Sequence, residues 1–507
     1  MKKIKYIFLS LLALSMIACE NDVVKDFREL NENDDVTLEE LTVGSADFSN
    51  YVAIGASFTA GFSDGGLFKA AQERSFPQLL SEQFAFGGGG SFTQPLMDDN
   101  TGGILVGGFA SGYRLVFGGE GPVPLDLFLT SQGAPVPPIT TEATNNIGSN
   151  FNNFGIPGAK SFHFVTPGYA AFNPFYTRIA SGPSSTVLGD ALAQNPTFFT
   201  LSEVGGNDVL GYATSGGSGV DQTGNIDPST YGSNDITDPN VFASALSTMV
   251  SALTQNGAKG VVTTVPDITS LSHFTTVPHN PVPLDAATAA ALNQGYAAYN
   301  GGLQAAFAAL NGTGLFTAEE VAKRTISFSE GEGNAMVIID ENLTDLGAIN
   351  PAFAGIPQYR QATATDLFVL PLSSLIPQGY GTQIPLEDRW ALTPEEQTAI
   401  ANATSAYNAT INAIADSNPN LAVADLRAVL EQASTSGYPY DEFIMNTDLV
   451  LGGLVSLDGI HLTSRGYGLM AREFLVAIDE AFGSNFIASG TTPVADILPT
   501  NYSPLLQ

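Results

Sequence analysis

Tyr51-Val-Ala-Ile-Gly-Ala-Ser-Phe-Thr-Ala-Gly61 is the stretch whose reading decides the fold. The apolar run Tyr51 to Ile54 stops at Gly55, and Ser57 follows two residues later, ahead of a segment that leads towards a helix. A buried strand that ends in a sharp turn presents its next side chain at the edge of a sheet, and in an open α/β sheet that edge is where ligands sit. A serine there is a candidate nucleophile if a base and oxyanion donors arrive from elsewhere in the chain.

Three further blocks have the right residue types to supply them. Asn153-Phe-Gly-Ile-Pro-Gly-Ala159 brings glycines after a second short run. Phe198-Phe-Thr-Leu-Ser-Glu-Val-Gly-Gly-Asn-Asp208 is a strand closed by Gly-Gly-Asn-Asp. Leu457-Asp-Gly-Ile-His-Leu-Thr463 sets an Asp three residues before a His, just ahead of the last amphipathic helix. In order and content these four blocks resemble the GDSL, or SGNH, family of serine esterases and lipases. Ser57 matches the first block, Gly158 the second, Asn207 the third, and Asp458 with His461 the last. One departure stands in the first block, where Gly55-Ala56-Ser57-Phe58 replaces Gly-Asp-Ser-Leu, so that Ala56 takes the place of an acid beside the nucleophile.

The resemblance implies a catalytic triad of Ser57, His461 and Asp458, an oxyanion hole built from the backbone N–H groups of Ser57 and Gly158 and the side-chain amide of Asn207, and no cofactor. The residues support the same assignment independently. A serine hydroxyl needs an imidazole to take its proton. Of His163, His273, His279 and His461, only His461 follows an Asp at a spacing that lets one loop turn both side chains to the serine. His163 reads as structural, and His273 and His279 show no carboxylate at metal-ligand spacing. No phosphate-binding Gly-x-x-x-x-Gly-Lys, cysteine pair for zinc or calcium-loop spacing is present, so no metal is expected.

Outward from these blocks, short strands near residues 51, 150, 200, 262 and 423 alternate with helices. The alternation predicts an α/β fold with one parallel, doubly wound, five-stranded sheet and helices on both faces. The resemblance implies the flavodoxin-like strand order 2-1-3-4-5. Helices are expected over 75–84, from Asp238-Pro239, over 286–310, from Thr393-Pro394 to about 415, and over 464–482, where Tyr467, Ala471, Phe474, Ile478 and Phe482 share one face. Two insertions interrupt the alternation, at about 86–150 and 312–391. Within them Tyr113–Phe117, Pro124–Leu129, Ala335–Ile339 and Asp366–Leu372 read as short strands. The hydrolase domain is expected to span 51–484, with 485–507 as a surface tail.

Residues 1–19 read as a targeting segment rather than as part of the fold. Lys2, Lys3 and Lys5 precede an apolar run, Tyr6 to Ala18, that ends at Cys19, the chain's single cysteine, in a context that resembles a bacterial lipobox. Lipidation of Cys19 would anchor an exported protein, with the outer membrane the expected address, through an acidic tether over 20–50. A formal net charge of −32 repels nucleic acid, which excludes that class of partner. The partners expected are an ester substrate and the membrane that holds the lipid.

Together these features predict hydrolysis of carboxylic esters through an acyl-enzyme. A carbohydrate acetylesterase and a non-catalytic surface binding lipoprotein are the two rivals. Phe109, Leu115, Phe117, Leu127, Phe128, Leu129, Phe368 and Leu370 in the insertions are expected to wall an acyl chain, and the one tryptophan, Trp390, leaves little for a sugar-stacking platform.

Overall fold

The computed structural model describes residues 38–310 and 312–506. The targeting segment, Cys19 and most of the proposed tether therefore lie outside the described residues.

Five short strands form one parallel sheet: β1 (Tyr51–Gly55), β2 (Asn153–Gly155), β3 (Phe198–Ser202), β4 (Lys259–Thr263) and β5 (Leu421–Ala424). β1, β2 and β3 are buried at every position, as expected of parallel strands covered on both faces. Their order is β2-β1-β3-β4-β5, the 2-1-3-4-5 arrangement. Gly55 lies opposite Gly155 on one side and Ser202 on the other, so the carboxyl ends of β1, β2 and β3 stand side by side. The parallel sheet flanked by helices is compatible with a doubly wound α/β fold.

The helices that bear on the site include α1 (Ser57–Ala60), α2 (Phe76–Phe86), α3 (Asn207–Thr214), α4 (Pro239–Thr254), α5 (Ala286–Leu310), α6 (Pro394–Asp416) and α7 (Ser464–Phe482). Local chemistry sets their ends. Asp238 caps α4 by accepting from Asn240 N and Val241 N, and Thr463 caps α7 by accepting from Gly466 N. Thr393 N and Oγ1 both donate to Glu396 Oε2 at the start of α6. Gly483 ends α7 in the left-handed region at φ +73, a position that favours glycine. Ser75 precedes α2 but makes no cap hydrogen bond, and its hydroxyl donates to Gln94 Oε1. The apolar face of α7 is buried, and Phe474 stacks on Phe76 of α2 at 4.8 Å. Phe242 of α4 stacks on Tyr407 of α6 at 4.4 Å.

Three expectations need correction. Pro124–Leu129 is not a strand: a helix runs over Leu125–Ser131, with Leu125 and Leu129 one turn apart, both buried beside Val116. That i, i+4 spacing is helical, and Pro124 fits just ahead of a first turn. Asp366–Leu372 is extended only at Leu367–Phe368 and then turns into a 3₁₀ segment containing Pro371, which cannot donate to a ladder. The segment 485–507 is not a loose surface tail. Phe486, Ala495 and Leu498 are buried, Phe486 lies edge-on to Phe48, and Tyr440 Oη donates to Pro493 O. The described end of the proposed tether packs as well, with Phe48 buried and Thr42 N donating to Asn485 Oδ1.

The second insertion has a polar centre. Val337–Ile339 pairs antiparallel with Tyr359–Gln361, and the buried Arg360 is held by Asp340 at 2.5 Å and bidentately by Asp366 at 2.6 and 2.7 Å.

Candidate active site

Sheet geometry creates the turn that carries Ser57. A Cβ on Gly55 would lie 2.1 Å from Thr59 Oγ1 and 2.6 Å from Ser202 O, so β1 closes onto α1 and β3 only with glycine at this position. Ser57 opens α1 and is 8% exposed. The first N–H groups of a helix have no partner within it, and here a carboxylate from the neighbouring strand end supplies one. Glu203 accepts from Phe58 N at 2.8 Å and Thr59 N at 3.0 Å, and does so from the left-handed region at φ +53. Burial pushes the Glu203 carboxyl up to about 7, against the pull of these donors and of His461.

Asp458 and His461 are brought together as the spacing predicted. His461 Nδ1 lies 2.7 Å from Asp458 Oδ2. Ile460 N and His461 N donate to Asp458 Oδ1 at 2.8 Å each, and Gly65 N donates to Oδ2 at 2.8 Å. Burial alone would raise the Asp458 carboxyl, but the His461 charge and these donors hold it well below the ordinary range. The imidazole packs on Phe62 at 4.5 Å and Phe58 at 5.6 Å, the aromatic residues of the Ser57 turn. Ser57 Oγ and His461 make no hydrogen bond in this conformation.

Other residues fix the Asp–His loop. Gly459, at φ +76, leaves no room for a Cβ, which would sit 2.6 Å from His273 N. His273 N donates to Gly459 O at 3.0 Å, and its Nδ1 lies 3.1 Å from Asp458 O. Asp64 N donates to Ser456 Oγ, while Asp64 Oδ1 accepts from Leu457 N. Burial and the charge of Asp458 push the Asp64 carboxyl up to about 7, with the Leu457 donor acting against them. Glu203, Asp64, Ser456 and His273 were not singled out from sequence as site residues. An acid between the apolar Phe198–Leu201 run and a Gly-Gly turn was the one signal available for Glu203.

The oxyanion candidates lie at the ends of β2 and β3. Gly158 adopts φ +78, and a Cβ there would meet no atom within 4 Å, so its backbone is open to a ligand. Asn207 opens α3 and donates one Nδ2 hydrogen to Ala159 O at 3.0 Å, tying the third block to the second. Its second N–H and the backbone N–H groups of Ser57 and Gly158 have no hydrogen-bond partner among the described residues. Asp208, deeply buried, accepts from Ser161 N and Oγ and reinforces the same junction. His163 accepts from Lys160 N, stacks on Tyr169 at 4.2 Å and is pushed down to about 4 by burial and Lys160, in keeping with a structural role.

Ser57 and Asn207 share a cavity of about 100 Å³ whose walls are almost wholly apolar, among them Leu210, Val265, Leu430, Leu454, Leu469 and Met470. These residues come from α3, from the segments that follow β4 and β5, and from α7 and the loop before it. The insertion residues expected to form the walls do not line it. Phe109, Phe117 and Leu127 are exposed, while Leu129 and Phe368 pack into the insertions' own small cores. Gly158 and His461 are also outside the lining, although Ile460 and Leu462 on either side of His461 belong to it. Comparison with protein-family models, with curated proteins and with solved structures finds no match to this chain.

Proposed function

We propose that this protein is a serine hydrolase of the GDSL/SGNH type that cleaves carboxylic esters bearing an apolar acyl chain. The observation that carries this reading is the Asp458–His461 pair, bonded at 2.7 Å and packed on the aromatic residues that flank Ser57. Ser57 Oγ attacks the ester carbonyl while His461 Nε2 takes its proton. Asp458, acceptor to Nδ1, fixes the tautomer and stabilises the imidazolium that forms. The proton passes to the departing alkoxide, leaving an acyl-serine, and water activated by the same imidazole releases the acid. The Ser57–His461 hydrogen bond, not made in this conformation, forms when substrate fills the site, since such contacts are commonly long without ligand. The unpartnered N–H groups of Ser57 and Gly158 and the second N–H of Asn207 are donors for the oxyanion, each of a kind worth about 3–4 kcal/mol in the transition state.

The apolar cavity beside Ser57 and Asn207 is the acyl site in this reading. Each methylene it buries contributes about 0.8 kcal/mol, so kcat/KM should rise roughly fourfold per carbon from acetyl towards medium-chain esters. The N-terminal segment supports export with a lipid on Cys19, and no helix among the described residues is long and apolar enough to cross a membrane.

A fluorophosphonate serine probe, applied to wild type and Ser57→Ala, tests the reading, together with a p-nitrophenyl ester series from acetate upward. Labelling that depends on Ser57 and a rate that climbs with chain length are expected. Labelling that survives Ser57→Ala would overturn the nucleophile, and a series that peaks at acetate would overturn the acyl site.

A further inference from the structure

Away from the Ser57 turn, three carboxylates distant in sequence converge. Glu341 comes from the second insertion, Asp388 from the turn ahead of α6, and Glu396 from the first turn of α6. One oxygen from each lies within 4.8 Å of the others. Among the described residues no Lys, Arg or His stands within ion-pair distance of any of the three. Arg389 pairs instead with Glu387, Arg360 with Asp340 and Asp366, and Lys323 with Asp340. Like charges this close cannot all persist without a shared proton or a cation.

A second observation separates this group from an ordinary acidic surface. Glu396 is only 4% exposed. Its Oε2 is occupied by Thr393 N and Oγ1, but its Oε1 is buried and has no hydrogen-bond partner. A buried carboxylate oxygen without a partner is costly to hold. The backbone also closes over it. A Cβ on Gly217 would lie 2.1 Å from Glu396 Oε1, and one on Gly216 would lie 2.0 Å from Asp388 O. The loop after α3 thus forms one wall with its glycines, while Glu341, which is exposed, leaves a path in from solvent.

We propose that Glu341, Asp388 and Glu396 bind a calcium ion. The donor set is all oxygen and all carboxylate, which suits a hard cation. Calcium accepts six to eight oxygens at about 2.3–2.6 Å in irregular arrangements, so any two of its ligand oxygens stand no more than about 4.6–5.2 Å apart, a limit these three already meet. Magnesium keeps most of its water and is commonly held by one or two carboxylates. The site joins the second insertion to the start of α6 and to the loop that follows α3. It lies at the far end of α3 from Asn207, about 12 Å along the helix at 1.5 Å per residue, so its role is to brace the fold rather than to touch substrate.

The test uses the full chain after EDTA treatment, titrated with CaCl2 alone and MgCl2 alone by calorimetry, with Tm followed in parallel. Glu341→Gln and Asp388→Asn are the variants, because Glu396 also holds the start of α6. Wild type should bind one calcium more tightly than magnesium and show a Tm that climbs with calcium concentration. Each variant should fold in EDTA with a Tm at or above that of wild type, since a repulsion has been removed, and should bind calcium about tenfold more weakly or not at all. Three results would overturn the site: no binding up to about 10 mM calcium, beyond the weakest calcium modules; equal affinity in wild type and both variants; or a wild-type Tm that follows pH but ignores calcium, the mark of a shared proton.

Discussion

Glu203 offers the sharpest test of how the Ser57 turn is held. Its carboxylate is the acceptor for Phe58 N and Thr59 N, the N–H groups directly after Ser57. Replacing it with Ala strands both donors in a buried turn, at about 1–3 kcal/mol each, so Glu203→Ala should lower stability by roughly 2–6 kcal/mol at pH 8. The left-handed backbone supplies an internal control. Both Glu and Ala are strained at φ +53, whereas Gly is not. Glu203→Gly therefore recovers about 1–2 kcal/mol of strain and returns roughly 0.5–1 kcal/mol of it through a looser unfolded chain. Glycine should be no worse than alanine although it removes more of the side chain. Urea unfolding gives the stability order, and the rate of fluorophosphonate labelling reports on the turn, with at least a tenfold drop expected in both variants. A loss under 1 kcal/mol in Glu203→Ala, or a Gly variant more than 1 kcal/mol below Ala, would refute the reasoning.

Ser57→Ala and His461→Ala should each abolish ester hydrolysis, by roughly 10⁶-fold in turnover, while near-ultraviolet circular dichroism stays unchanged; a purified Ser57→Ala protein that keeps a few per cent of the rate would refute the triad. Glu203 and Asp64 are both raised to about 7 in the fold, so the folded state binds protons that the unfolded chain has released. Their contribution to stability is full below about pH 4 and is lost as pH rises through about 7. The urea midpoint should fall from pH 5 to pH 8, and Glu203→Gln should flatten that slope; an unchanged slope in the variant would show that Glu203 does not titrate there. Cys19→Ser should move the protein out of the membrane fraction with its rate on a soluble ester unchanged, and mature protein that retains residues 1–18 would contradict lipidation.

What could be read from the chain follows a physical division. The five strands are short apolar runs ended by Gly or polar turns, and α7 shows its buried face at the spacing of Tyr467, Ala471, Phe474, Ile478 and Phe482. Such patterns are local and survive in any context. Asp458 and His461 were legible for the same reason, because one loop carries both. The errors fall where contacts are distant. Phe486 is buried because Phe48 and Phe84 meet it across more than four hundred residues of chain, and nothing near Phe486 announces that. The cavity walls were sought in the insertions because those segments are apolar and irregular. Of the observed walls, Leu430 sits on a helix over Leu426–Thr435 and Met470 on α7, where each looks like any other core residue. Periodicity marks a residue as inward-facing without saying whether it faces another side chain or a space.

The first block shows the same division at the scale of one turn. Ala56 leaves the Ser57 turn without an acid of its own, and in sequence that reads as a loss. In the fold, parallel pairing of β1 with β3 sets Gly55 opposite Ser202, and the residue after Ser202 is Glu203. A carboxylate thus reaches the start of α1 from the adjacent strand. That delivery depends on a contact too close for any side chain at Gly55, where a Cβ would stand 2.6 Å from Ser202 O. Strand register, the glycine and the strained Glu203 backbone are therefore one device: each is needed to place the carboxylate, and the carboxylate in turn holds the backbone that presents Ser57. The function of the first block is shared with the third, and only the sheet makes that visible.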